Sequence, residues 1–272
     1  MNLLKSITTA IFTLVSLTVI GILIKNNIML SMGHLFLLPL VGFWYGTKRQ
    51  WSASYIDKLA YATFALGAFA DSVILIDWGQ TGEFLSISIS LIMNLLIIMI
   101  FRKEGTRIYS DKTKDIPKIV VPALSVFLFF GYFLVPSLPT AIYFLTIFYA
   151  VLEVIFVAHG LFREAKKTSY LWIAFGVVLF LLKDVIYSIH FFVYNSTKPF
   201  LYAIQYPLNI FSFFMIAIGI AINQQNTEKT KSETLLEYLR NYLKKFSKVR
   251  YAKHSHKYLF NRREDSQQTQ LN

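Results

Sequence analysis

The chain contains no cysteine, and only 15% of its 272 residues are charged. Without cysteine there are no disulfide bonds, no thiol nucleophile and no thiolate metal ligand. The HExxH, GxSxG, P-loop and GxGxxG motifs are also absent, and the five histidines lack the spacing of a zinc site within one helix. The signatures of common metallohydrolases, serine hydrolases and nucleotide-binding enzymes are therefore missing, and we expect no metal site and no cofactor.

The chain is instead rich in long apolar blocks. Hydrophobic residues make up 55% of it and aromatic residues 17%. Blocks of about 18 or more apolar residues are typical of membrane-spanning helices. The sequence thus predicts an all-α polytopic membrane protein, an eight-helix transmembrane bundle. The predicted spans are roughly 7–24, 29–46, 58–76, 84–101, 118–135, 139–162, 169–193 and 199–222.

The basic residues are distributed unevenly between the two sides of this predicted bundle. With eight spans, 24 of the 27 Lys and Arg residues fall at the N-terminus, in alternate loops or in the C-terminal tail. The opposite side holds only Lys25 and Lys198, and Lys183 lies within a span. By the positive-inside rule, both termini are predicted to be cytoplasmic. The basic residues that give the net charge of +12 then lie where an anionic inner leaflet would attract them, so we expect no nucleic-acid partner.

A change in composition divides the chain into residues 1–223, the transmembrane domain, and residues 224–272, a basic cytoplasmic tail. Within the tail, apolar residues recur at helical spacing over 232–249, with lysine and arginine between them. This pattern predicts a basic amphipathic helix on the membrane surface, with a partner-binding helix as the alternative. The final polar residues favour disorder.

Two aspartates, Asp71 and Asp184, lie inside the third and seventh predicted spans. A carboxyl group at that depth is costly, which makes each a candidate functional residue. Both lie in the outer halves of spans that run in the same direction, so they can face each other if their helices are neighbours. A purely structural role, such as a hydrogen bond to a neighbouring helix, is the alternative for each.

Other polar residues also lie within the predicted spans. Glu153 is a third intramembrane carboxyl group, and Tyr149 is one turn before it on the same helix face. Lys183 precedes Asp184, but adjacent residues point to different faces, so we expect Lys183 to pair with another acid such as Glu153 or to snorkel. Histidines near helix ends, including His190, are expected to be interfacial. Further candidates to line the same cavity are Asn94, Tyr187, Tyr206 and Asn209.

These residues resemble the motifs of the YhhN-type lysoplasmalogenase membrane proteins. That family has eight predicted spans, with a Gly-Asp-x-x-Leu motif in the third and a Ser-Asp pair in the seventh. The corresponding stretches here are Ala70–Leu75 and Lys183–Ile186, and similar tyrosines open the stretches at Tyr149 and Tyr206. The resemblance covers about residues 30–222. It departs from the family at Ala70, at Lys183 and near His34, where the family has a Lys-Pro pair.

The resemblance implies a hydrolase that cleaves the vinyl ether bond of a lysoplasmalogen to a fatty aldehyde and a glycerophospho-alcohol. It implies Asp71 and Asp184 as catalytic residues and Tyr149 and Tyr206 as substrate-binding residues. Glu153 and Lys183 are further substrate-binding candidates because they lie inside the predicted spans. The resemblance also implies a bacterial cytoplasmic membrane and a membrane phospholipid or lysophospholipid as the partner. Two alternatives fit the same buried acids: a proton- or cation-coupled transporter, and a non-catalytic protein in which polar groups only join helices.

Overall fold

The structure is a computed structural model that describes residues 2–75, 80–107, 112–130, 134–138, 140, 143–194, 198–228 and 230. These residues form helices and contain no β-strand. The helices are α1 (Asn2–Leu23), α2 (Asn27–Lys48), α3 (Tyr55–Ile74), α4 (Gln80–Lys103), α5 (Lys112–Phe129), α6 (Tyr143–Leu161), α7 (Lys167–Ser188) and α8 (Pro199–Glu228). A 3₁₀ turn (Val135–Ser137) precedes α6, and a π-helical turn (Ile189–Val193) extends α7.

Six helices in the described part of the chain are long and apolar enough to cross a membrane: α1, α2, α4, α6, α7 with its π turn, and α8. The all-helical fold predicted from the sequence is therefore confirmed, and the six apolar helices are compatible with an integral membrane protein. Helices α3 and α5 are not among the six. Polar residues reduce the hydropathy of both, since α3 carries Asp57, Lys58 and Asp71, and α5 begins with the charged segment KTKD.

The helices enclose one large core of buried aliphatic and aromatic side chains, to which α1–α4 and α6–α8 contribute. Glycine allows α7 and α8 to approach closely. A Cβ atom at Gly176 would lie 3.0 Å from the carbonyl oxygen of Ser212, and one at Gly219 would lie 3.0 Å from that of Ser169. These two glycines therefore set how closely α7 and α8 can pack.

The turn from α2 to α3 is held by a buried cluster around Asp57. Arg49 donates from Nε to Asp57 Oδ1 at 2.9 Å, and Tyr45 donates its hydroxyl to the same oxygen at 2.7 Å. Ser54 caps α3 and donates to Asp57 Oδ2 at 2.6 Å. Burial alone would raise the pKa of Asp57, but these hydrogen bonds lower the pKa from its ordinary 3.8 to about 2.

We expect this cluster to make stability dependent on acid pH. A carboxyl group with a depressed folded-state pKa stabilises the fold above its unfolded pKa and stops doing so as the pH falls through the folded value. The stability contributed by Asp57 should therefore be complete above pH 3.8 and lost as the pH falls towards 2. The melting temperature of the detergent-solubilised protein should fall more steeply between pH 3.8 and about 2 in wild type than in Asp57→Asn. Equal slopes would contradict the assignment.

The chain divides into two compact units, Met1–Asn223 and Gln224–Asn272. The first contains α1–α7 and most of α8. In the second unit, the structure describes residues 224–228, which complete α8, and residue 230. The amphipathic helix predicted over 232–249 and the polar residues after it lie outside the described residues.

Candidate functional site

A cavity of about 640 Å³ lies within the first unit, in one half of the bundle. All eight helices line it. The odd-numbered helices line the cavity with residues from their C-terminal halves. The even-numbered helices line it mainly with residues from their N-terminal halves. The cavity therefore lies towards the ends at which α1, α3 and α7 finish and α2 and α8 begin. This end is opposite to the one that carries the basic loops after α2, α4 and α6.

Both aspartates singled out in the sequence line this cavity, and both are buried. Asp71 is in the last turn of α3, and Asp184 is in the last turn of α7. Although 113 positions separate them in the chain, the packing of α3 and α7 brings them to one enclosed space. The two acids that the sequence singled out therefore line a common cavity.

Asp184 has two strong partners. The Nζ atom of Lys183 lies 2.6 Å from Asp184 Oδ1, and Tyr149 on α6 donates its hydroxyl to Asp184 Oδ2 at 2.9 Å. Lys183 also lies 4.1 Å from the centre of the Phe180 ring, a cation–π contact. An ammonium group and a hydroxyl donor together stabilise an ionised carboxylate at Asp184.

The expectation that Lys183 pairs with another acid was wrong. Adjacent Cβ atoms on a helix do point apart, but the lysine stem is long enough to turn its ammonium group back to Asp184 Oδ1. Glu153 lies close enough to Lys183 and Asp184 to interact electrostatically with both. Its Oε1 atom accepts no hydrogen bond from the described residues. Lys183 thus forms an ion pair with Asp184 and interacts with Glu153 at longer range.

Asp71 has a different environment. Its basic neighbour is His34, whose Nδ1 atom lies 4.0 Å from Asp71 Oδ2. This separation is too long for a hydrogen bond. Neither His34 Nδ1 nor Asp71 Oδ2 has a hydrogen-bond partner among the described residues. Asp71 therefore lacks the close donors that stabilise Asp184 as an anion.

His34 stands out in the sequence only as a departure from the family motif, yet it belongs to this site. Its Nε2 atom lies 2.6 Å from the hydroxyl oxygen of Tyr202, and the edge of its ring contacts Tyr206 at 4.7 Å between centroids. Tyr202 also stacks on His190, which lies in the π-helical turn. Two features of the sequence could have predicted this group: a histidine inside an apolar helix, and two tyrosines four residues apart that share a helix face.

His190, predicted to be interfacial, is buried against its protein neighbours and lines the cavity. His190 lies in the π-helical turn that follows α7, and such turns are frequent at functional sites. The predicted Asn94, Tyr187, Tyr206 and Asn209 also line the cavity. Buried polar atoms without a hydrogen-bond partner within the described part of the chain are unusually frequent here: besides those named above, Asn94 Oδ1 and Nδ2, His190 Nδ1, Gln205 Oε1 and Tyr206 Oη.

Unpaired buried polar atoms cost about 1–3 kcal/mol each, so their concentration in one cavity indicates that the cavity holds polar partners, either a ligand or water. The remaining wall is apolar, with Leu30, Leu38, Phe180 and Phe213 among the lining residues. Exposed residues Lys25 and Asn27 also line the cavity, so it reaches the surface at the turn between α1 and α2. The space therefore suits an amphiphilic molecule whose polar part lies among buried acids. Within the described residues, no group of His, Asp and Glu could hold a metal ion.

No family model, no curated protein and no solved structure matches this chain. The assignment of a function therefore depends on the cavity and on the chemistry of the residues that line it.

Proposed function

We propose that this protein is a membrane-embedded hydrolase that cleaves the vinyl ether bond of lysoplasmalogens, with Asp71 and Asp184 as its catalytic residues. The observation that carries the proposal is the single cavity that both aspartates line, one with close donors and the other without. Vinyl ether hydrolysis needs one carboxylic acid that gives up a proton and one carboxylate that receives one. Two carboxyl groups in unequal surroundings meet this need, as in glycosidases.

In the first stage, Asp71 acts as the acid. Its proton moves to the β-carbon of the vinyl ether, and the double-bond electrons form the new C–H bond. The carbon that bears the ether oxygen becomes part of an oxocarbenium ion, which the Asp184 carboxylate stabilises. A water molecule then adds to this carbon, and its proton goes to Asp184. The product is a hemiacetal, with Asp71 now ionised and Asp184 protonated.

In the second stage, the hemiacetal separates into the two products. Asp71 removes the proton from the hemiacetal hydroxyl as the carbonyl of the fatty aldehyde forms. Asp184 donates its proton to the departing glycerol oxygen. Both carboxyl groups return to their starting states, so the cycle uses one water molecule and needs no other reactant.

The residues around Asp184 fit supporting roles. Tyr149 donates a hydrogen bond to Asp184 and orients it towards the cavity. Lys183 supplies the counter-charge of the Asp184 carboxylate, and Glu153 is a further polar group beside both, available to bind the polar part of the substrate. Tyr206 presents an unpaired hydroxyl beside the cavity and is the candidate to hold the ether oxygen or the water. The apolar wall at Phe180 and Phe213 would accommodate the alkenyl chain.

We further propose that all eight helices cross the membrane, with both termini in the cytoplasm and the cavity towards the outer leaflet. The division of Lys and Arg between the two ends supports this orientation. The membrane would be a bacterial cytoplasmic membrane, and the basic tail would contact its anionic inner leaflet. Because the chain has no native cysteine, a cysteine placed at Lys25 reports sidedness directly, and labelling from the cytoplasmic side would contradict this topology.

The test of the function is a lipid panel incubated with purified protein. We expect fatty aldehyde from an alkenyl lysophospholipid, and none from the saturated alkyl ether or the acyl analogue with the same headgroup. The physical reason is that only the vinyl ether accepts a proton at carbon to give an oxocarbenium ion. Aldehyde measured by hydrazone trapping is the readout. No aldehyde from the alkenyl lipid, together with pH-driven ion flux in proteoliposomes, would favour the transporter instead.

A further inference from the structure

The gap between His34 Nδ1 and Asp71 Oδ2 has the dimensions of a binding site for one hydroxyl group. The two atoms are 4.0 Å apart, and both lack a partner among the described residues. His34 is 2% exposed and Asp71 is 6% exposed, so bulk water does not readily satisfy either of them. An oxygen atom about 2.8 Å from each would make two hydrogen bonds at roughly a right angle.

The two sides of this gap are complementary to a hydroxyl group in particular. Tyr202 lies 2.6 Å from His34 Nε2, and when its hydroxyl donates to that nitrogen the imidazole proton is on Nδ1. His34 Nδ1 then donates, while Asp71 Oδ2 accepts when the acid is ionised or carries its proton on Oδ1. A hydroxyl group accepts from the first and donates to the second. A methyl, an ester or an ether oxygen cannot do both.

We propose that His34 and Asp71 together bind the free hydroxyl on the central glycerol carbon of a lysolipid. The inference rests on the proposed function and names the residues that select the single-chain substrate. In a two-chain lipid this oxygen is esterified, so it has no proton to donate to Asp71, and its acyl group would have to occupy the same gap. Bound in this way, the hydroxyl also places the vinyl ether, which begins one carbon further along the glycerol, beside Asp71.

The depth of the site agrees with this assignment. His34 is eight residues into α2 from Asn26, or about 12 Å below the mouth of the cavity. In a lysophospholipid, four bonds separate the phosphorus from the central hydroxyl oxygen, about 5 Å when extended, and a lysine side chain spans about 6 Å. Lys25 lines the mouth and has no ion-pair partner within the described ranges, so its ammonium group is available to the phosphate. Phosphate at Lys25 thus brings the hydroxyl to the level of His34.

The experiment measures binding, because binding does not require turnover. The probes are a saturated alkyl ether lysophospholipid, which cannot be hydrolysed by this chemistry, and its analogue without the central hydroxyl. We expect wild-type protein in nanodiscs to bind the hydroxyl-bearing lipid about 10- to 100-fold more tightly in a fluorescent-lipid displacement assay. His34→Leu should reduce this preference to nearly onefold, and Tyr202→Phe should weaken it.

The control is His159→Leu, which removes a histidine of α6 that does not line the cavity. It should keep the preference. Equal binding of both lipids by wild type would overturn the inference and assign the gap to water, as would a preference that survives in His34→Leu. Failure to bind either lipid would also overturn it. A preserved hydroxyl preference without aldehyde from the alkenyl lipid would instead reject the proposed hydrolysis and leave the hydroxyl site standing.

Discussion

Replacing Asp71 or Asp184 by asparagine is expected to lower the rate of aldehyde release by about 100- to 10,000-fold, the usual contribution of a positioned general acid or base. Asparagine keeps the size of the side chain and removes its capacity to exchange a proton. Asp71→Asn should block the first protonation of the vinyl ether. Asp184→Asn should leave the oxocarbenium ion without its counter-charge and the water without a base.

The two variants should also differ in stability. Asp184→Asn leaves the Lys183 ammonium group buried without its carboxylate 2.6 Å away, so we expect a lower melting temperature as well as lost activity. Asp71 has no comparable partner, so Asp71→Asn should fold with near-normal stability. Aldehyde release at saturating lipid, measured beside the melting temperature of each protein, separates the two effects.

The control is Asp115→Asn. Asp115 is also a buried aspartate, paired with Lys118 at 3.1 Å, but it does not line the cavity. Its replacement should leave the rate within a few-fold of wild type. A wild-type enzyme that releases aldehyde, with both Asp71→Asn and Asp184→Asn near its rate, would refute the assignment of the two acids.

The second large effect is expected at the opposite end of the bundle, where Glu104→Leu should lower the free energy of unfolding by about 3–5 kcal/mol. Glu104 Oε2 lies 2.6 Å from Arg163 Nε, and both side chains are 0% exposed. Burial lowers the pKa of the Arg163 guanidinium, and the Glu104 carboxylate opposes that effect. Removing the carboxylate leaves a buried cation with no counter-charge at this position.

This ion pair also connects elements that are far apart in the chain. Arg163 donates to Ser169 Oγ at 3.0 Å, and Ser169 donates to the carbonyl oxygen of Gly219 at 2.7 Å. Asn223 donates to Glu104 Oε1 at 3.0 Å. The network therefore joins the end of α4 and the segment after α6 to α7 and α8. Reversible unfolding in mixed micelles, followed by tryptophan fluorescence, measures its contribution.

Two further variants test the cause of the effect. Glu104→Leu combined with Arg163→Met should recover most of the lost stability, because replacing both buried charges by apolar side chains removes the uncompensated ion. Glu164→Leu breaks the Arg107–Glu164 pair, whose side chains are 74% and 52% exposed, and should cost less than about 1 kcal/mol. If the double variant is no more stable than Glu104→Leu, the loss comes from packing rather than from charge.

The class of the protein could be predicted from the sequence because that prediction needs only local information. Long apolar blocks specify membrane helices whatever their neighbours are. A carboxyl group within such a block is costly in any arrangement of the helices, so the sequence is sufficient to single out Asp71 and Asp184. Glu153, Tyr149 and Tyr206 could be proposed for the same reason, since periodicity places polar residues on particular faces of their own helices.

The composition of the cavity depends instead on which helices are neighbours and how each is rotated about its axis. His34 and Tyr202 are 168 positions apart, and only the packing of α2 against α8 brings the imidazole to the hydroxyl. The pairing of Lys183 with Asp184 depended on the rotamer of a long side chain, which helix periodicity does not determine. Sequence by itself thus determined the helical membrane class and the two aspartates. Tertiary structure alone decided that these acids share a cavity with His34, because spacing along a helix carries no information about contacts between helices.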